Sequence, residues 1–256
     1  MGRLFGLEGR VALITGGSRG LGFAIAQGFL EQGAKVYLSA RSEAACEEAA
    51  KELSRWGPCH AIAADVSQAD GIAGLASHFS KADSSLDILV NNAGTAWAEA
   101  FDSFPEKGWD KVMDLNLKSP FFLTQALAAP LRKAGAVRPS KVINIASIDG
   151  ISVNPQDTYS YAASKAGLVH LTRRLALRLV KDNVRVNCIA PGMFPSDMNR
   201  RARDEGDALA LKIPARRLGR PDDIAAAAVY LASPAGDYLV GETLVVDGGL
   251  NWSRES

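Results

Sequence analysis

The 256-residue chain has only three cysteines, Cys46, Cys59 and Cys188. An odd count with no C-x-x-C pair fits reduced thiols better than a disulfide framework. Charge of one sign is missing too. The formal net charge is +1, so no global field draws the chain to nucleic acid or to a membrane surface, and no helix-turn-helix signature is present. No uninterrupted apolar run approaches the ~20 residues of a membrane span. The opening MGRLFG lacks a signal-peptide apolar core and the Ser or Thr of a myristoylation site, so a cytoplasmic protein is expected. There is no internal repeat, no low-complexity tract and no linker, and RKAGAVRPSK at 132–141 reads as a helix-to-strand loop. No metal site is expected.

What is there is an alternation. Apolar, β-rich runs at 10–15, 35–40, 60–65, 86–92, 141–147, 184–190 and 243–248 are separated by helical spacing near 21–32, 43–56, 68–82, 107–132, 159–181 and 222–232. Most of the strand candidates are near-continuously apolar, as strands buried on both faces are. Gly33 is the expected stop of the first helix. The pattern predicts an α/β fold, one doubly wound parallel sheet of seven strands with helices on both faces, spanning 1–256 as one domain. In such sheets ligands lie beyond the carboxyl ends of the strands. Polar and glycine-rich residues gather there: 16–22 after the first strand, Arg41 after the second, Asp65 at the third, NNAG (91–94) at the fourth, Ser147 at the fifth, Pro191 and Gly192 after the sixth.

The loop TGGSRGLG (15–22) joins a strand to a helix, the setting of a phosphate at a helix N-terminus in a Rossmann-type fold. Its glycines, Gly16, Gly20 and Gly22, are spaced G-x-x-x-G-x-G, so the G-x-G-x-x-G fingerprint is absent. Taken alone the loop also reads as a tight turn opening a helix. The second strand ends in LSARSE, with Ala40 where an NAD site places an acid for the ribose hydroxyls. Arg41 follows, and Arg19 sits in the loop. Two guanidiniums suit a 2′-phosphate, which points to NADP. Glu43 is the rival acceptor, expected in the first turn of the next helix, and a solvated strand-end charge is the plain alternative for Arg41.

In YSYAASKAG (159–167), Tyr161 and Lys165 stand four apart on one helix face, with Tyr159 turned elsewhere. A phenol works as an acid–base catalyst near neutrality when a neighbouring ammonium favours its phenolate. The elements TGGSRGLG, NNAG, LNLKSPF, NIAS, YAASK, PGMFPSDM and RLGRPDDIA, in this order, resemble the short-chain dehydrogenase/reductase family over essentially the whole chain. Within it the sequence is most similar to bacterial 3-oxoacyl reductases of the rhamnolipid-pathway type.

The resemblance implies roles. Tyr161 would protonate the carbonyl oxygen, Lys165 would lower the Tyr161 pKa and hold the nicotinamide ribose, Ser147 would orient the substrate oxygen, and Asn116 would hold a water linking Lys165 to solvent. For Asn116 a kink residue packed under the sheet cover is the alternative. The cofactor would lie against Gly16, Ser18, Arg19, Gly20, Leu21 and Gly22, Arg41, Asp65 and Val66, Asn92, Ala93 and Gly94, Tyr161 and Lys165, and Pro191, Gly192, Phe194 and Ser196. Two departures stand out: Ser147 and Tyr161 are separated by 13 residues, one more than in many relatives, and Ser196 replaces a common Thr.

Substrate is less legible. The polar segment 193–215 has the texture of a substrate lid. Met193, Phe194 and Trp97 are candidates for an apolar lining, and Arg200, Arg201 and Arg203 for contact with the phosphates of coenzyme A or an acidic carrier protein; plain packing and a solvated face are the respective alternatives. The expected activity is NADPH-dependent reduction of a 3-oxoacyl thioester on CoA or acyl carrier protein, by a homotetramer. The alternatives are an oxidoreductase of a sugar acid, polyol or cyclic ketone, and a catalytically silent NADP-binding regulator.

Overall fold

The computed structural model describes residues 2–195, 204 and 206–253. After a short helix α1 (Gly2–Phe5), the elements run β1 (Val11–Thr15), α2 (Gly20–Glu31), β2 (Lys35–Ala40), α3 (Glu43–Leu53), β3 (Cys59–Ala63), α4 (Ala69–Ala82) and β4 (Ile88–Asn91). They continue with α5 (Glu106–Met113), α6 (Ser119–Ala126), α7 (Ala128–Gly135), β5 (Ser140–Ile145), α8 (Tyr159–Leu179), β6 (Val184–Pro191), α9 (Gly206–Ala210), α10 (Pro221–Ala232) and β7 (Thr243–Val246). The strands form one parallel sheet in the order β3-β2-β1-β4-β5-β6-β7. Strand order reverses between β1 and β4, which opens a crevice at their carboxyl ends.

Alternation along each strand feeds two cores. Ala12 and Ile14 of β1, Val36 and Leu38 of β2 and Ile143 of β5 pack under α2, α3 and α10. Leu13, Tyr37 and Val142, one residue out of phase, pack under α4, α6 and α8. Both faces are covered, which is why the runs are apolar throughout rather than alternating. Gly33 closes α2 with φ +87°, a left-handed stop that glycine takes without penalty.

All seven expected strands are present, with ends shifted by a residue or two. Pro191, expected to follow β6, is its last residue, opposite Val246 of β7. The single helix expected over 107–132 is broken. A π-helical turn, Asp114–Lys118, separates α5 from α6, and Leu127 interrupts the chain again before α7. The apolar period runs through both breaks, so spacing alone hides them. The first follows from Asn116, whose buried side chain is drawn into hydrogen bonds away from the helix. Among the described residues no helix is long and apolar enough to cross a membrane.

Candidate active site

Gly16 and Gly20 hold φ of +64° and +57°, and an added Cβ on Gly22 would lie 2.3 Å from the Gly16 carbonyl oxygen. The loop therefore needs glycine at Gly16 and Gly20 for conformation and at Gly22 for close approach. No side chain caps α2 and no acid sits in its first turn, which leaves its leading N–H groups for an anion. Asn92 fixes the loop from across the crevice: its Nδ2 donates to the carbonyls of Thr15 (2.9 Å) and Gly16 (3.0 Å). Thr15 Oγ1 accepts from the backbone of Asn92 and Ala93, both at 3.1 Å, and donates to Val90 O. Thr15 is a site residue that motif reading missed. Its signal was a hydroxyl at the end of an otherwise apolar strand, facing the switch point.

A cleft of about 1070 Å³ opens in front of this loop. Arg19, Arg41, Asp65 and Gly94 lie on one side, and Lys107, Asp110 and Lys111 of α5 on the other. Asp65 Oδ1 accepts from the N–H (3.1 Å) and hydroxyl (2.7 Å) of Ser67, which fixes the turn after β3. Glu43 occupies the first turn of α3, behind the Ser42 cap, where the helix dipole favours a carboxylate. The strand end itself carries no acid, so donor chemistry and glycine cradle together fit a dinucleotide with a 2′-phosphate. Among the described residues no group of three or more His, Cys, Asp or Glu is placed to hold a metal ion.

At the nicotinamide end, Ser147 is buried and its Oγ accepts from Asp149 N at 3.1 Å, opening a 3-10 turn over Ile148–Gly150. The Tyr161 ring is half-buried. Burial pushes its hydroxyl up to about 12, while a hydrogen bond with Ser147 pulls the other way. Lys165 is 5% exposed; its Nζ donates to Ile145 O at 2.8 Å and lies 5.6 Å from the Tyr161 ring centroid. Burial pushes this ammonium down to about 8. Desolvation dominates both groups, raising the phenol and lowering the ammonium, and the Ser147 hydroxyl favours the phenolate. Tyr159 turns outward and donates to Asp157 Oδ1 at 2.5 Å. The stretch 151–158 between Ser147 and Tyr161 is largely exposed, and the Ser147 hydroxyl stands close enough to Tyr161 to favour its phenolate.

Asn116 Oδ1 accepts from Thr95 N, and its Nδ2 donates to Thr95 O, each at 2.9 Å, and to Ser164 Oγ at 3.1 Å. Its side chain is thereby committed to protein partners, so any water it holds falls to its backbone within the π turn. Gly94 lies between Asn116 and Lys165: an added Cβ would sit 3.4 Å from Asn116 Oδ1 and 3.6 Å from Lys165 Nζ.

Several expected contacts are spent elsewhere. Val66 is buried among the α4-side core residues. The Phe194 ring is buried and packs over Gly219, where an added Cβ would lie 2.5 Å from it. Only the backbones of Val66 and Phe194 remain for a ligand. Trp97 lies flat on Gly108 of α5, with Lys111 over its ring at 5.4 Å, so it packs against α5. Met193 joins Ile148, Ile213 and Leu250 in a small cluster. Gly192 N donates to Val246 O at 2.9 Å. Ser18 and Leu21 are half-buried within the glycine loop. Ser196, Arg200, Arg201 and Arg203 lie outside the described residues.

Comparison with known proteins agrees with this geometry. A family model described as enoyl-(acyl carrier protein) reductase matches residues 16–251. The rhamnolipids biosynthesis 3-oxoacyl-(acyl-carrier-protein) reductase of Pseudomonas aeruginosa is 48% identical over 251 residues, 96% of this chain and 98% of that protein. The 2-dehydro-3-deoxy-D-gluconate 5-dehydrogenase of Dickeya dadantii is 40% identical over 253 residues, 96% of each chain. The solved Pseudomonas aeruginosa RhlG/NADP active-site complex superposes with a TM-score of 0.94 at 47% identity, covering 98% of this chain and 100% of that one.

Proposed function

We propose, from the premise that this chain belongs to the short-chain dehydrogenase/reductase family, that it reduces a ketone to a secondary alcohol with NADPH, the ketone being the 3-oxo group of an acyl thioester on CoA or on an acyl carrier protein. The observation that carries the reading is the proximity of Ser147 to Tyr161, with the buried Lys165 ammonium beside them, in a sheet whose second strand is followed by Arg41.

Arg19 and Arg41 would hold the 2′-phosphate, the glycine loop and the uncapped start of α2 the pyrophosphate, and Lys165 the nicotinamide ribose. NADPH, when bound, supplies the hydride. Ser147 donates to the carbonyl oxygen and orients it, which steadies the charge that develops there. Tyr161, held protonated by burial, delivers its proton to that oxygen. Lys165 keeps a positive charge beside the phenol as the proton leaves, and the Asn116–Thr95 clasp holds the wall that faces it.

The chain works as a homo-oligomer. A groove of about 530 Å³ between α6 and α8, floored by Leu117, Phe121, Phe122 and Leu171 and rimmed by Lys118, Asp114 and Arg174, presents apolar surface with both charge signs at its edge, which suits a second copy of the same face. Three free, buried cysteines suit a reducing cytoplasm.

NADPH oxidation is the test, followed with acetoacetyl-CoA, longer 3-oxoacyl thioesters, sugar acids and cyclic ketones. The expected result is turnover on the thioesters. Turnover confined to sugar acids moves the chain to the activity named for its Dickeya dadantii relative. Absence of turnover on every ketone, with NADPH still bound, supports a silent regulator.

A further inference from the structure

Gly150 ends the 3-10 turn that Ser147 opens, and its N–H donates to Ser147 O at 3.0 Å. Its φ is not in the left-handed region, so backbone conformation alone would accept any residue. Space would not. A Cβ on Gly150 would lie 2.6 Å from the Lys165 carbonyl carbon, 2.7 Å from its oxygen and 2.8 Å from Ala166 N. All three are helix backbone atoms, which no rotamer change can move aside. The turn carrying Ser147 therefore lies directly against α8 at the level of Lys165, one helical turn beyond Tyr161.

We propose that Gly150 is a positioning residue for the reaction: its missing side chain sets how closely the Ser147 hydroxyl meets the Tyr161 phenol. The proposal rests on the roles given above to Ser147 and Tyr161. An alanine at 150 must lift the turn from α8, and because α8 is packed against β6 and the π turn while the 3-10 turn runs on into the largely exposed stretch 151–158, the turn is the part that moves. Displacement of a reacting group by ~1 Å costs on the order of 10²-fold in rate. The glycine loop and Arg41 lie on other strands, and the packing of α8 keeps Lys165 in place, so NADPH affinity is spared.

Gly150→Ala, Ser147→Ala and the double variant test this together, with NADPH fluorescence titration, a thermal melt, and kcat and KM on acetoacetyl-CoA. The expected result for Gly150→Ala is a kcat lower by roughly 10–10²-fold with unchanged NADPH affinity. The double variant should be no slower than Ser147→Ala alone, because the two changes act through one hydroxyl. Full kcat in Gly150→Ala overturns the proposal, as does a double variant whose loss multiplies the two single losses. Loss of folding or of NADPH binding in Gly150→Ala also overturns it, since the clash would then not be confined to the turn. Full turnover in Ser147→Ala sinks the underlying reading instead, whatever Gly150→Ala does.

Discussion

Lys165 and Tyr161 are both held where their charged forms are disfavoured. The phenol stays protonated up to about 12, as a proton donor in reduction must. The ammonium is the more costly group, with its pKa brought from an ordinary 10.5 down to about 8. Across that interval the unfolded chain binds the proton that the folded chain has released, so stability rises with pH from about 8 to 10.5 and the full penalty is felt below. Lys165→Met is therefore expected to be more stable than the parent at pH 7, by ~1–3 kcal/mol, while losing turnover. Urea melts at pH 7, 8.5 and 10 check this, with the gain shrinking as pH rises. A destabilised variant at pH 7, or a gain that does not shrink, would contradict it. Activity follows the same group: kcat/KM for reduction is expected to hold through neutrality and fall above about 8 as Lys165 loses its charge.

At the scale of elements, periodicity and punctuation carried most of the fold. Seven apolar runs gave seven strands because a sheet covered on both faces needs each of them buried, and Gly33 marked a helix end because its backbone is left-handed. The helix over 107–132 was read as continuous because its apolar spacing survives the π turn; the break is dictated by where Asn116 sends its amide, toward Thr95, a long-range partner that no local pattern encodes. The same holds inside the sheet. Asn91 Nδ2 donates to Asn144 Oδ1 at 2.8 Å, and Asn144 Nδ2 to Thr172 Oγ1 of α8 at 2.9 Å, a buried chain tying β4 and β5 to the helix that bears Tyr161. Motif reading singled out Ser147, Tyr161 and Lys165 because reactive side chains are distinctive. The side chains of Phe194 and Val66 fill core and Trp97 covers α5, and motif reading passed over Thr15, whose hydroxyl ties β1 to the backbone after β4, and Gly150, which matters through the space it leaves against α8.

At the scale of the molecule, two proposals join: that copies of the chain assemble through the α6–α8 groove, and that each copy transfers a proton from Tyr161. For the first, Phe122 is 43% exposed beside Leu117 and Leu171. Light scattering at micromolar concentration is expected to give a dimer or tetramer for the parent chain and a smaller species for Phe122→Asp, whose buried carboxylate would be unpaired; a monomeric parent chain contradicts the assembly. For the second, Tyr161→Phe removes one oxygen and keeps the ring, while Tyr159→Phe removes the hydroxyl that donates only to Asp157. NADPH affinity should survive in both, because the glycine loop, Arg19 and Lys165 are untouched. The most direct measurement is turnover of a 3-oxoacyl thioester by these two variants beside their NADPH titrations. A fall of ~10²–10⁴-fold in Tyr161→Phe with bound NADPH, and near-parental turnover in Tyr159→Phe, is the predicted result; near-parental turnover in Tyr161→Phe, or the larger loss in Tyr159→Phe, would contradict the account.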